Sequence, residues 1–280
     1  MKNEKNREIL KNKFEILKQE LKIRGFSQNT LDAYIYHNQR FLNFCNKSPR
    51  EVNNKDIKNY IESLIDKKLA SASVRLVFNA LKFYYTWILR RKLFNDLILP
   101  KREQKIPVFL TKKEVSDLLN VIKNPKHHLL IEFIYASGLR VSEVVRFKVE
   151  NIFIDEAIAI VKQGKGKKDR KVILSEKFVE DLRNYLRRKK EGYLFEGRNG
   201  HLTERSVQEI ISKAAKKARI NKNVHPHSLR HSFATHLIES GTNTSTLQKL
   251  LGHSSLRTTQ MYVHLSDKDI KSIESPLDSL

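Results

Sequence analysis

Apolar residues recur at helical spacing along most of this chain, and one stretch, about residues 152 to 174, shows the alternation of strands instead. A stripe that repeats every three to four residues can be buried as one face of a helix and in no other regular way. Phe14, Leu17 and Leu21 keep that spacing, and Gly25 ends the run. Ser27 or Asn29 can cap a second helix carrying Leu31, Tyr34, Ile35, Asn38, Phe41, Leu42 and Cys45, closed by Pro49. A third is expected from about Asn54 through Ile57, Ile61, Leu64 and Ile65. Ser71 or Ser73 opens a fourth, with Val74, Val77, Phe78, Leu81, Tyr84, Tyr85 and Ile88. Residues 100–107, PKREQKIP, have no apolar period and are bracketed by prolines, which marks a linker. Beyond it, Thr111 and Glu114 form a capping-box pattern, and an apolar helix from His128 to Ser137 ends at Gly138.

In the exceptional stretch, Ile152-Phe153-Ile154 and Ile158 to Val161 read as short strands. Gln163 to Asp169, with Gly164 and Gly166, reads as a turn, and Lys171 to Leu174 as the returning strand. Helices are expected again at about 176–190, 203–218, 226–240, 244–251 and 256–263. The expected fold is therefore mainly α, with a small antiparallel β-sheet (α+β) in the C-terminal domain and a helical bundle at the N-terminus.

Charge narrows the partner. The chain holds 54 Lys and Arg against 31 acidic residues, a net charge of +23, and a surface that repels itself so strongly calls for a polyanion. Nucleic acid is the first candidate and an anionic membrane surface the second. Cys45 is the single cysteine, so an internal disulfide or a Cys-based zinc site is excluded, and it reads as a core residue. The N-terminus lacks a signal-peptide stretch and no apolar run is long enough to span a bilayer, so a cytoplasmic protein without a membrane partner is expected.

Three segments carry chemistry: Gly138-Leu139-Arg140-Val141-Ser142-Glu143, His225-Pro226-His227-Ser228-Leu229-Arg230-His231, and Leu250-Leu251-Gly252-His253 with Tyr262 nine positions on. Pro226 suits a first helical turn, which puts His227 and Arg230 on one face. Leu229, Phe233 and Leu237 mark another face that packs inward and leaves the His–Arg face to a substrate. Arginine grips two phosphate oxygens in a planar fork, and histidine moves a proton near neutral pH. Glu143, three residues after Arg140, can orient its guanidinium. A phenol with a pKa of about 10 attacks at neutral pH only with help, which a cage of cations around a phosphate supplies. His225, His227, His231 and His236 cluster in sequence, but Arg230 among them opposes a cation, so no metal is expected and His231 and His236 read as structural. There is no Walker-type phosphate loop and no dense acidic cluster for magnesium, so no cofactor is expected.

These segments resemble the signature boxes of the tyrosine recombinase (phage integrase) family, most nearly the Xer-type recombinases of bacteria and archaea. GLRVSE is similar to the first arginine box, HPHSLRHSFATHL to the His-x-x-Arg box, LLGHSSLRTTQMYVH to the His-and-tyrosine box, and QGKGKKDR to the β-hairpin lysine motif. The resemblance implies residues 1–99 as a helical, SAM-like core-binding domain, 100–107 as linker, and 108–280 as a catalytic domain with a C-terminal tail, the two domains clamping a duplex. It implies that Arg140 and Arg230 clamp the scissile phosphate, His227 hydrogen-bonds it and helps move protons, His253 binds and positions it, Lys165 protonates the leaving 5′ oxygen, and Tyr262 forms a 3′-phosphotyrosyl link. Lys162, Lys167 and Lys168 lie on the same turn as Lys165 and compete for its role. The implied partner is double-stranded DNA with a specific site, bound by a homo-tetramer that is a monomer or dimer when free. A Xer-like role in chromosome dimer resolution is expected. The alternatives are a mobile-element integrase, a type IB topoisomerase-like enzyme and a non-catalytic DNA-binding protein. Further DNA contacts are expected from Ser71, Ser73 and Arg75 at the start of the fourth helix, with Lys82 extending that face by helical spacing, and from Thr203, Arg205 and Ser206 at the start of a later one.

Overall fold

The computed structural model describes residues 14–94, 97, 99, 107–162, 169–187, 191–198, 200–252, 255, 259–260 and 262. The chain divides into two compact units at Lys105/Ile106. The linker call at 100–107 and the tail after Tyr262 fall almost wholly outside the described residues.

The first unit is helical: α1 over 14–23, α2 at Gln28–Cys45, α3 at Asn54–Asp66 and α4 at Ser71–Phe83. Local chemistry sets the starts. Ser27 caps α2 by accepting from the Thr30 amide, and Asn53 with Asp56 forms a reciprocal capping box on α3. α4 opens at Ser71, the first of the two expected starts, with Ala70 as an N-cap that makes no side-chain hydrogen bond. The expected continuation to Ile88 is made by a π-helical turn, Tyr84–Ile88. The apolar stripes meet in one core, where Leu17, Leu21, Leu31, Phe41, Ile57, Leu81 and Tyr85 are all buried, but Ile65, expected in the stripe of α3, is 47% exposed at the end of that helix. Each such aliphatic side chain contributes about 1.5–3 kcal/mol by leaving water. Asn38 is the one polar group in this core cluster's α2 face, and its Nδ2 donates to the carbonyls of Tyr34 and Ala80, tying α2 to α4.

The second unit opens with α5 (Lys112–Asn120), whose Thr111–Glu114 capping box forms as the pattern requires. α6 (Pro125–Ser137) is apolar nearly all round and buried, with Leu129, Leu130, Ile131, Phe133 and Ile134 in the core. Gly138 ends it in the left-handed region, and α7 (Val141–Val145) follows at once. Strands β1 (Ile152–Phe153), β2 (Ile158–Val161) and β3 (Arg170–Ile173) form an antiparallel meander. Its register pairs Ala159 with Val172 and Val161 with Arg170. Ala159, Val161 and Val172 are buried, so the period of two places Arg170 on the inward face. After α8 (Glu176–Leu186) comes a second hairpin that the sequence reading lacks, β4 (Glu196–Gly197) with β5 (Gly200–His201), each strand too short for an apolar alternation to register. α9 (Glu204–Lys217), α10 (Pro226–Glu239) and α11 (Thr244–Leu251) complete the unit, and α10 packs on α6 and α11. Among the described residues no helix is long and apolar enough to cross a membrane.

Candidate active site

The last turn of α11 organises the site. A helix end leaves carbonyls without intrahelical partners, and these carry partial negative charge. Gly252, in the left-handed conformation, returns its amide to Gln248 and Lys249, which leaves the next three carbonyls open. Three guanidinium groups take them in order: Arg170 Nε donates to Leu250 at 2.9 Å, Arg230 Nη2 to Leu251 at 2.7 Å, and Arg140 Nη2 to Gly252 at 3.3 Å. The box that precedes Tyr262 in sequence thus gathers the arginines of the other two boxes by its backbone alone.

Glu143 holds two of the three. Its carboxylate accepts from the Arg140 amide and from Arg140 Nη1 at 2.8 Å, as the spacing of three predicted. It also accepts both terminal nitrogens of Arg170, at 2.8 and 2.7 Å, in a two-pronged pair. Burial by itself pushes the Glu143 carboxyl up, but the Arg170 hydrogen bonds and charge, then those of Arg140, hold it at about 2. Arg170 is the residue the sequence reading missed. The signal was present in the strand alternation: a cation on the inward face of β3 must find a buried partner.

Arg230 corrects an expectation. The His–Arg face of α10 was read as open to a substrate, yet Arg230 is only 3% exposed. Its Nη1 donates to the Gly138 carbonyl at the end of α6 while Nη2 holds Leu251, so the guanidinium turns inward where carbonyls are to be satisfied. Leu237, read as inward, is half-buried at the edge of a small cluster of Phe233, Ala234, Leu247, Leu251 and Tyr262. Burial first, then the charge of Arg140, lowers the Arg230 guanidinium to about 9, still cationic at neutral pH. His227 stays exposed on the first turn of α10. Partial desolvation and the neighbouring charges of His225, Arg230 and Arg140 pull its imidazole below the ordinary range.

Tyr262 is buried, at 1% exposure, and its hydroxyl lies 3.0 Å from His231 Nδ1. Burial raises the phenol, and Arg230 and then Arg140 draw it part of the way back, so both arginine charges reach it. Desolvation, then His227, Arg230 and His225, lower His231 to about 4, so the ring is neutral at physiological pH and holds the Tyr262 hydroxyl by a hydrogen bond. His231 was read as structural because Tyr262 stands 31 positions away and sequence gives no reason to pair them. His236, read the same way, shares a 2.9 Å hydrogen bond with Tyr135. Arg140, Arg230, His227 and Tyr262 therefore gather in one place; Lys165 and His253 lie outside the described residues.

The other candidate contacts are scattered. Ser71, Ser73 and Lys82 are exposed on α4, and Arg75 is half-buried there. Thr203 and Ser206 are occupied in capping α9, and Arg205 pairs with Glu209 on its exposed face.

Residues 108–269 match the phage integrase family, and residues 14–94 match the phage integrase N-terminal SAM-like domain. The chain belongs to the phage integrase family. This tyrosine recombinase is 39% identical over 271 residues to the putative integrase/recombinase y4qK of Sinorhizobium fredii, covering 94% of its own length and 88% of that relative. It is 36% identical over 259 residues to the tyrosine recombinase XerA of Pyrococcus furiosus, covering 90% and 88%. Its fold matches the crystal structure of the XerH site-specific recombinase bound to a palindromic difH substrate, a post-cleavage complex, with a TM-score of 0.72 at 22% identity over 89% of this chain and 80% of that one. The tyrosine recombinase is thus of Xer type, an enzyme that breaks and rejoins DNA.

Proposed function

We propose that this tyrosine recombinase binds a specific DNA site and exchanges strands through a 3′-phosphotyrosyl intermediate, with Tyr262 as nucleophile. The observation that carries the reading is the convergence of Arg140 and Arg230 on the α11 carbonyls with the Tyr262 hydroxyl inside the field of both charges. The phenol oxygen forms a bond to phosphorus as the bond to the 5′ oxygen breaks. The phenol gives up its proton as it attacks, with His227 helping to move it and His231 holding the hydroxyl in place, and Lys165 supplies a proton to the departing 5′ oxygen. Arg140 and Arg230 stabilise charge growing on the non-bridging oxygens, with His227 and His253 hydrogen-bonding them. Glu143, pinned by Arg170, keeps the Arg140 fork in place. Because the link conserves the phosphodiester energy, rejoining needs no nucleotide.

The Xer relative supports a role in resolving chromosome dimers, carried out by a tetramer on two paired DNA sites in the cytoplasm. The Sinorhizobium relative, named a putative integrase, supports the second reading, integration of a mobile element. A nicked suicide substrate tests the chemistry. Wild type is expected to trap a covalent protein–DNA adduct and Tyr262→Phe none, while His231→Asn slows single-turnover cleavage by about 100-fold or more without weakening DNA binding. An adduct in the Phe variant would show that another residue attacks. Substrates from the replication terminus and from element ends separate the two roles.

A further inference from the structure

Glu132, on the third turn of α6, is a buried carboxylate that strand exchange does not use. It is 5% exposed, its Oε2 is buried with no hydrogen-bond partner, and burial, then the charge of Asp181 and a hydrogen bond with it, push the carboxyl up to about 7. Two carboxyls held this close must share a proton, and both ionise only where a cation meets them. Two other potential ligands converge on Glu132. His128 lies one helical turn earlier on the same face, with Nδ1 3.8 Å from Glu132 Oε2. Asp181 approaches from α8, which packs against α6, and one ligand atom from each of the three lies within 4.8 Å of the others. Lys177, one turn before Asp181 on α8, is the cationic side chain whose charge reaches Glu132.

An imidazole nitrogen with two carboxylate oxygens is a donor set that Zn²⁺ accepts. Bonds of about 2.1 Å place tetrahedral ligand atoms about 3.4 Å apart. The His128–Glu132 separation of 3.8 Å is already near that, and an Asp181 oxygen lies within 4.8 Å of both. Glu132 forms the floor, and the half-buried His128 and Asp181 leave an entry from solvent.

We propose that His128, Glu132 and Asp181 form a divalent-cation site suited to Zn²⁺, which clamps α6 to α8. A water completes the coordination on the open side. The ion steadies the helix whose C-terminal carbonyl, at Gly138, holds Arg230.

Zinc sulfate titrated into the chelator-treated full chain, followed by a competing chromophoric indicator and by thermal unfolding, tests this. One bound equivalent and a raised Tm are expected. Glu132→Gln and His128→Asn should each weaken binding by more than the roughly 10–100-fold typical of losing an outer hydrogen-bond partner. His225→Asn, which keeps a capping side chain on α10, should leave binding unchanged. His128 is partly exposed, so its variant remains informative if Glu132→Gln fails to fold. Wild-type zinc affinity in both ligand variants would place the ion on the α10 histidines and overturn the proposal. No binding and no Tm change at large excess would also overturn it, leaving Glu132 to share a proton with Asp181.

Discussion

Glu143 sits between two guanidinium groups, 8% exposed, and its ionised form is what both of them need. Its folded-state pKa of about 2 lies below the ordinary value of 4.5, so the stability it contributes is fully present above about pH 4.5 and is lost as pH falls towards 2. The contribution is on the order of 3 kcal/mol. Urea unfolding of wild type should therefore weaken through that window, and Glu143→Gln should flatten the dependence there. Arg170→Ala leaves Glu143 buried against a single partner and is expected to cost about 3–5 kcal/mol. Arg170→Lys, with a point charge in place of the fork, should fall between. Equal stability of Arg170→Ala and wild type by the same measurement would mean that the pair contributes nothing.

Between α6 and α7, Gly138 does two things that no other residue can do there. Its φ of +60° lies in the left-handed region, and a Cβ would stand 2.4 Å from Phe233 Cδ1 and 3.1 Å from Leu251 Cδ2. The side chains of α10 and α11 thus press onto bare backbone, and this close approach lets the Gly138 carbonyl reach Arg230. Gly138→Ala is expected to cost about 2–5 kcal/mol, from backbone strain and overpacking together, and to lose most covalent adduct on the suicide substrate. Gly241, with φ +93° and nothing within 4 Å of its Cβ position, is the control. Gly241→Ala carries the backbone strain alone, and equal losses in the two variants would remove packing from the account.

At the scale of the whole molecule, +23 net charge makes DNA affinity an ionic-strength measurement. Binding to B-DNA releases counterions, and the logarithm of affinity falls with slope about −0.9 per phosphate neutralised. A footprint of roughly 6–10 phosphates predicts a loss of about 10³–10⁵-fold between about 50 and 200 mM salt. Fluorescence-anisotropy titrations of the full chain over that range give the slope. A slope near zero would separate the charge from DNA binding.

What could be read along the chain was local. Ser27 and Thr111 with Glu114 start helices through hydrogen bonds spanning three residues, and the β2–β3 alternation shows in adjacent side chains. The Arg140–Glu143 contact was legible for the same reason, because a helical turn imposes it. Folding alone joined partners that the chain holds apart: Arg170 with Glu143 across 27 residues, His231 with Tyr262 across 31, and Arg230 with Gly138 across 92. Sequence determined which residue types are available, since helical and strand periods act over a few residues. Only tertiary structure decided which way Arg230 turns, because that depends on where the carbonyls of two other helix ends come to rest.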